Sequence, residues 1–192
     1  MKEALIVFVK KPVEGKVKTR LAKGVGHAEA VRIYNKLLSK TEKVIAPLSQ
    51  DVFIFSDVKF KGYFEDYPWH LQEGVNLGVK MYNAFEAVFA LGYDKVSIIG
   101  SDCFELTTEI IQEVYRNPKE AVIGPSSDGG YYLLALKRNH LSIFDKIDWS
   151  TEKVFEQTKK QLQSVGMNYD LLLTLTDIDD LEDLKLFPEL SI

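Results

Sequence analysis

The stretch VSIIGSDC, residues 96–103, decides the fold. Val96–Ile99 is short and rich in β-branched residues, which suits a strand buried on both faces, and Gly100 ends it. Asp102 follows at once. In open α/β sheets ligands bind beyond the carboxyl ends of the strands. A carboxylate placed there is suited to ligate Mg²⁺ or Mn²⁺ that also holds phosphate oxygens. The plainer role for Asp102, capping the next helix, fits Thr107 or Thr108 better, because Asp102 comes too early in the chain. Cys103 has no histidine near it in sequence and reads as a structural, buried thiol.

The same strand-then-loop pattern recurs on either side. Ala4–Val9 is a continuous apolar run, and Val52–Phe55, Ala121–Ile123, Tyr131–Leu136 and Tyr169–Leu173 are further strand candidates. Helical spacing of apolar residues marks 27–45, Leu77–Leu91 with Asn76 as N-cap, a segment ending near Tyr115, and Thr151–Val165 opening after Ser150. A short helix follows Asp179. Strands alternating with helices imply a mixed, mostly parallel sheet covered on both faces, an α/β fold in three layers. Without a repeat or linker, residues 1–192 read as a single domain.

The bulk composition narrows the class. Charged residues make up 27% and apolar residues 46% of the chain, an ordinary globular balance. A net charge of −4 argues against nucleic acid as a partner. No apolar run approaches a membrane span, the start of the chain lacks a signal-peptide cleavage pattern, and the single cysteine fits a reducing compartment. The expected location is the cytoplasm. The charge is unevenly spread: residues 1–43 hold eleven Lys or Arg against four Glu, and residues 170–192 hold seven acids against one Lys.

Each end carries a candidate site. After the first strand, Lys10, Lys11, Lys16, Lys18 and Arg20 surround Gly15 in a loop suited to cradling phosphates. After the last strand, Asp177, Asp179, Asp180 and Asp183 crowd together. Asp180, Glu182 and Asp183 are explained by a helix N-terminus, which favours negative charge. Asp179 is explained less well by it, and is placed to share a metal with Asp102. Between the two ends, GPSSDGGYYLLAL (124–136) pairs an Asp-Gly turn with a pocket-forming loop. His27, His70 and His140 are scattered, which excludes a zinc spacing.

These segments together resemble a known family, the bacterial glycosyltransferase-A-like proteins of the nucleotide-diphospho-sugar transferase superfamily. The resemblance runs through VKKPVEGKVKTRLA (9–22), QEGVNLGVKM (72–81), GSDC (100–103), GPSSDGGYYLLAL (124–136), WST (149–151) and DIDDLEDL (177–184). The first segment is also similar to the loop of 2-phospholactate guanylyltransferases, and the first and last, more loosely, to molybdenum cofactor nucleotidyltransferases. Phe104 and Asp180-Leu181 depart from the family pattern, which usually has Pro and Thr-Pro there.

The resemblance implies a Rossmann-like glycosyltransferase A fold. It implies that Lys18 and Arg20 contact phosphates, with Lys10, Lys11, Gly15 and Ser101 on the nucleotide side and Gln72 and Gly74 beside the base. Asp102 and Asp179 would hold Mg²⁺ or Mn²⁺, and Asp128, Gly129, Gly130, Tyr131 and Tyr132 would form the acceptor side. The expected activity is metal-dependent transfer from a nucleotide donor to a small acceptor. Glycosyl transfer from a nucleotide sugar, with Asp128 as base, is favoured over nucleotidyl transfer from an NTP to a phosphorylated acceptor. A nucleotide-binding module without catalysis is the third reading, and a homodimer is the assembly considered.

Overall fold

A computed structural model describes residues 1–190. Its seven strands form one sheet in the order β3-β2-β1-β4-β6-β5-β7. The chain starts in the middle with β1 (Glu3–Phe8), moves outward through β2 (Asp51–Ser56) to the edge strand β3 (Trp69–Leu71), and returns to lay β4 (Lys95–Ile99) on the other side of β1. All of these pairings are parallel. The hairpin of β5 (Ala121–Pro125) and β6 (Tyr131–Leu136) then places β6 antiparallel between β4 and β5. Strand β7 (Tyr169–Leu171) closes the far edge, parallel to β5. The sheet is mixed and mostly parallel, and its order reverses between β1 and β4.

Strand β1 shows why both faces must be covered. Leu5 and Val7 enter one core, Ala4 and Ile6 the other, and all four are fully buried. The first core is closed by α1 (Thr19–Val25), α2 (His27–Ile45), α4 (Thr108–Arg116) and α6 (Leu181–Lys185), the second by α3 (Leu77–Phe89) and α5 (Val154–Ser164). Three layers result. Thr107 caps α4 and Asn76 caps α3, each side chain accepting the backbone N–H three residues on.

Element ends shift by up to three residues from the sequence reading, those of α5 and β7 among them. Helix α5 begins at Val154 and not after Ser150. Ser150 instead adopts φ 65°, and Thr151 Oγ1 donates back to Asp148 O at 2.7 Å, so residues 148–153 close into a turn. Strand β7 stops at Leu171, although Leu172 N still donates to Ile123 O. Elements α1 and β3 carry too few periodic residues to be legible beforehand. No helix among the described residues is long and apolar enough to cross a membrane.

Candidate functional site

The reversal between β1 and β4 opens a cleft of about 710 Å³ at the carboxyl ends of the strands. One wall comes from the loop after β1. There the backbone at Lys18 turns left-handed, φ 48° and ψ 43°, immediately before α1. This conformation is unfavourable by roughly 1–2 kcal/mol for a residue with a Cβ. It folds the Lys18 side chain inward until it is 4% exposed. Its Nζ then donates to Asp102 Oδ1 at 2.7 Å and to Asp179 Oδ1 at 3.3 Å. Arg20 NH1 approaches the other oxygen of Asp179 at 3.5 Å.

Asp102 and Asp179 meet because two distant segments are stitched together. Ile178 N donates to Asp102 O, Cys103 forms an antiparallel bridge with Asp177, and Thr176 N donates to Glu105 Oε2. The acidic run then divides by role. Asp180 caps α6 through Oδ1, and Asp183 Oδ2 accepts the backbone N–H of both Asp179 and Asp180. The Asp179 carboxylate is left to face the cations.

Electrostatics follow from this packing. Burial on its own would drive the Lys18 pKa down, but the Asp102 and Asp179 carboxylates outweigh it and raise the pKa above the usual lysine value. Asp177 responds in the opposite sense. Burial, then the Asp102 charge, push its carboxyl up to about 7 against the pull of Lys18. Burial also raises the Cys103 thiol pKa well above its ordinary value, so it is an inert core group.

The opposite wall is the β5–β6 turn and the loop before α5. Asp128 Oδ1 accepts Ser126 Oγ at 2.5 Å and Gly130 N at 2.9 Å, which fixes the turn. Phe155 N donates to Gly129 O, docking the second loop on the first. Trp149 lies directly on Gly78, where a Cβ would come within 2.6 Å of the indole. Every cation lining the cleft belongs to residues 10–20, whereas this wall contributes the carboxylates Asp128 and Glu152 with Tyr131, Tyr132 and Trp149.

Most candidate residues from the sequence therefore share one cleft. Lys10, Lys18 and Arg20 line it from the first loop, Gln72, Ser101 and Asp102 from the strand ends, and Asp128, Gly130, Tyr131, Tyr132 and Asp179 from the second half. Lys11, Gly15, Gly74 and Gly129 are not part of its lining. Lys11 is exposed, and Gly15 sits in an open turn at φ 74°. Gly74 presses on the first turn of α3, and Gly129 on the backbone of Glu152.

Three lining groups carried no assigned role in the sequence. Tyr34 OH accepts from Lys10 N at 2.9 Å and bonds Ser101 Oγ at 3.1 Å, tying both strand ends together, yet its spacing reads as plain helix core. Asp177 was visible only as one of a crowd. Trp149 stood in a short motif that gave no hint of its contact with Gly78.

A divalent cation fits the donor set. Two carboxylate oxygens from different segments converge on one positive centre, the Lys18 ammonium. Among the described residues no group of three or more His, Cys, Asp or Glu has the arrangement to hold a metal alone. Two carboxylates completed by substrate phosphates and water is the usual Mg²⁺ arrangement.

The family described as "Uncharacterized protein conserved in bacteria (DUF2064)" matches at residues 43–151. A search of curated proteins returns no match. Among solved structures, a proposed nucleotide-diphospho-sugar transferase from Desulfovibrio desulfuricans G20 is 29% identical. The TM-score is 0.89, over 97% of this chain and 86% of that one. The 4-diphosphocytidyl-2C-methyl-D-erythritol synthase of Anaerococcus prevotii is 8% identical at a TM-score of 0.59, covering 96% and 93% of the two chains. Rv0371c of Mycobacterium tuberculosis, in complex with manganese, is 11% identical at 0.58, covering 98% and 99%. All three structures share one fold with this chain, a Rossmann-like fold of the nucleotidyltransferase and glycosyltransferase A kind.

Proposed function

We propose, for a chain that belongs to the DUF2064 family of uncharacterized proteins conserved in bacteria, metal-dependent transfer from a nucleotide diphospho-sugar to a small acceptor. The observation that carries this reading is the convergence of Lys18, Arg20, Asp102 and Asp179 in one cleft at the strand ends. Residues 1–192 act as a single domain in it.

The donor diphosphate lies against Lys10, Lys18 and Arg20, with Ser101 at the base of the cleft and Lys11 and Gly15 shaping the loop outside it. Gln72 faces the nucleobase. Its Nε2 already donates to Phe55 O at 2.9 Å and Val9 O at 3.4 Å, so its carbonyl oxygen is the atom left for recognition. Gly74 lets the neighbouring loop close on α3. When bound between Asp102 and Asp179, Mg²⁺ or Mn²⁺ supplies charge that stabilises the departing diphosphate. Lys18 and Arg20 add positive charge against the same diphosphate.

The acceptor occupies the wall formed by Asp128 to Tyr132 and Trp149. With its Oδ1 held by Ser126 and Gly130, Asp128 has Oδ2 available to take a proton. The acceptor hydroxyl oxygen forms a bond to the anomeric carbon, its proton passes to Asp128, and the bond from that carbon to the diphosphate oxygen breaks with its electron pair. No cation from this wall lines the cleft among the described residues, which favours an acceptor without a phosphate, and hence glycosyl over nucleotidyl transfer.

Nucleotidyl transfer remains the second reading because four cations within residues 10–20 line the cleft, enough to match a triphosphate. Incubation with Mn²⁺, UDP- and GDP-sugars and a panel of hydroxyl acceptors is expected to release free UDP or GDP. Asp128→Asn is expected to slow release by about 10²- to 10⁴-fold with donor binding unchanged. Pyrophosphate released from an NTP, with nucleotide sugars inert, would overturn the glycosyl reading. Tight metal-dependent nucleotide binding with neither product would point to a binding module.

A further inference from the structure

The point where the two proposed metal ligands converge is already filled. Lys18 Nζ stands 2.7 Å from Asp102 Oδ1 and 3.3 Å from Asp179 Oδ1, and its side chain is 4% exposed. It is held there against the backbone preference of a non-glycine residue, at φ 48° and ψ 43°. A magnesium ion bound by those two oxygens would need them at about 2.0–2.1 Å. The ammonium and the ion cannot both occupy that space. Their charges differ as well: the Lys18 ammonium carries one positive charge, with Arg20 at 3.5 Å from Asp179 supplying the second, whereas a divalent ion neutralises both carboxylates by itself.

We propose that Lys18 is a resident stand-in for the metal, and that nucleotide and metal bind by exchange with it. The Lys18 ammonium leaves Asp102 and Asp179 for the donor diphosphate as the divalent ion takes the carboxylates. Arg20, 3.5 Å from the second oxygen of Asp179, keeps that side chain in place during the exchange. This inference rests on the reading of the cleft given above and adds an order to it. Metal alone binds weakly because it must displace a buried ion pair. Nucleotide supplies the displaced lysine with new anionic partners, so the two ligands bind with positive coupling, and the coupling is reciprocal.

The test is Mn²⁺ binding followed by the electron paramagnetic resonance of the free ion, on wild type and Lys18→Met, with and without UDP or GDP. Without nucleotide, Lys18→Met is expected to bind Mn²⁺ at least tenfold more tightly than wild type. Equal or weaker binding by the variant overturns the exchange. A second measurement needs no variant. Acetylation of Lys18 by a water-soluble reagent, read by peptide mass spectrometry, should be slow in the metal-free protein, faster with saturating Mg²⁺, and slow again once UDP or GDP is added. Reactivity that ignores Mg²⁺ also overturns it. If nucleotides and nucleotide sugars fail to bind under any metal condition, the transferase reading itself is lost. If they bind with metal while both Lys18 measurements stay flat, only the exchange is lost.

Discussion

Two buried lysines behave oppositely in this protein, and the difference lies in their partners. Lys18 sits between carboxylates and keeps its proton more firmly than a free lysine. Lys95 is fully buried, and its Nζ donates to the carbonyls of Val114 and Asn117, at 2.5 and 2.7 Å. Burial, with the charge of Lys137 behind it, pulls its pKa down to about 8. From about pH 8 to the ordinary lysine value near 10.4, the unfolded chain therefore binds a proton that the folded protein has released. In that window stability rises with pH. The melting temperature of wild type minus that of Lys95→Met is thus expected to climb between pH 8 and 10, as followed by circular dichroism, and a flat difference would remove the assignment. Asp102 was legible in sequence because a carboxylate just past a buried strand has few structural uses. The pKa of Asp177 was not, because its burial comes from a bridge to Cys103, a contact 74 positions away in the chain.

At the scale of elements, the acidic run 177–183 shows one stretch of sequence serving two ends. Asp180 and Asp183 form a reciprocal capping box on α6, and Asp179 faces Lys18 and Arg20. The two roles separate by mutation. Asp180→Ala is expected to lower stability by about 1 kcal/mol while leaving metal-dependent nucleotide binding intact, measured by denaturant unfolding and calorimetric titration. Asp179→Asn is expected to do the reverse. Equal loss of binding in both variants would mean that the acidic run acts as a diffuse charge cloud. The reciprocal hydrogen bonds at this helix start were not readable, whereas its acids were, through the charge preference of a helix N-terminus, a local physical cause. The start of α5 was misread for the same reason: Ser150 looks like a cap, but the docking of its loop against Gly129 through Phe155 N overrides the local signal. Short elements such as β3, three residues long, exist only because a neighbouring strand supplies their hydrogen bonds.

At the scale of the molecule, the sheet order explains why charges from opposite ends of the chain meet. Starting in the centre, running to one edge and returning to the centre puts the loop after β1 beside the loop after β4. The β5–β6 hairpin then brings the C-terminal segment over both. The sequence makes the alternation of strands and helices plain, and with it the layered sheet. The antiparallel insertion of β6 follows from the Asp-Gly turn at 128–129, but its place between β4 and β5 depends on long-range pairing that no local pattern encodes. The proposed function has this single cleft take a nucleotide through a metal held by Asp102 and Asp179. It is tested most directly by a thermal-shift panel of UDP- and GDP-sugars with and without Mn²⁺, on wild type and Asp102→Asn. At least one nucleotide sugar is expected to raise the melting temperature of wild type only when Mn²⁺ is present, with the shift abolished in the variant. A shift that needs no metal, or one that survives in Asp102→Asn, would contradict the account.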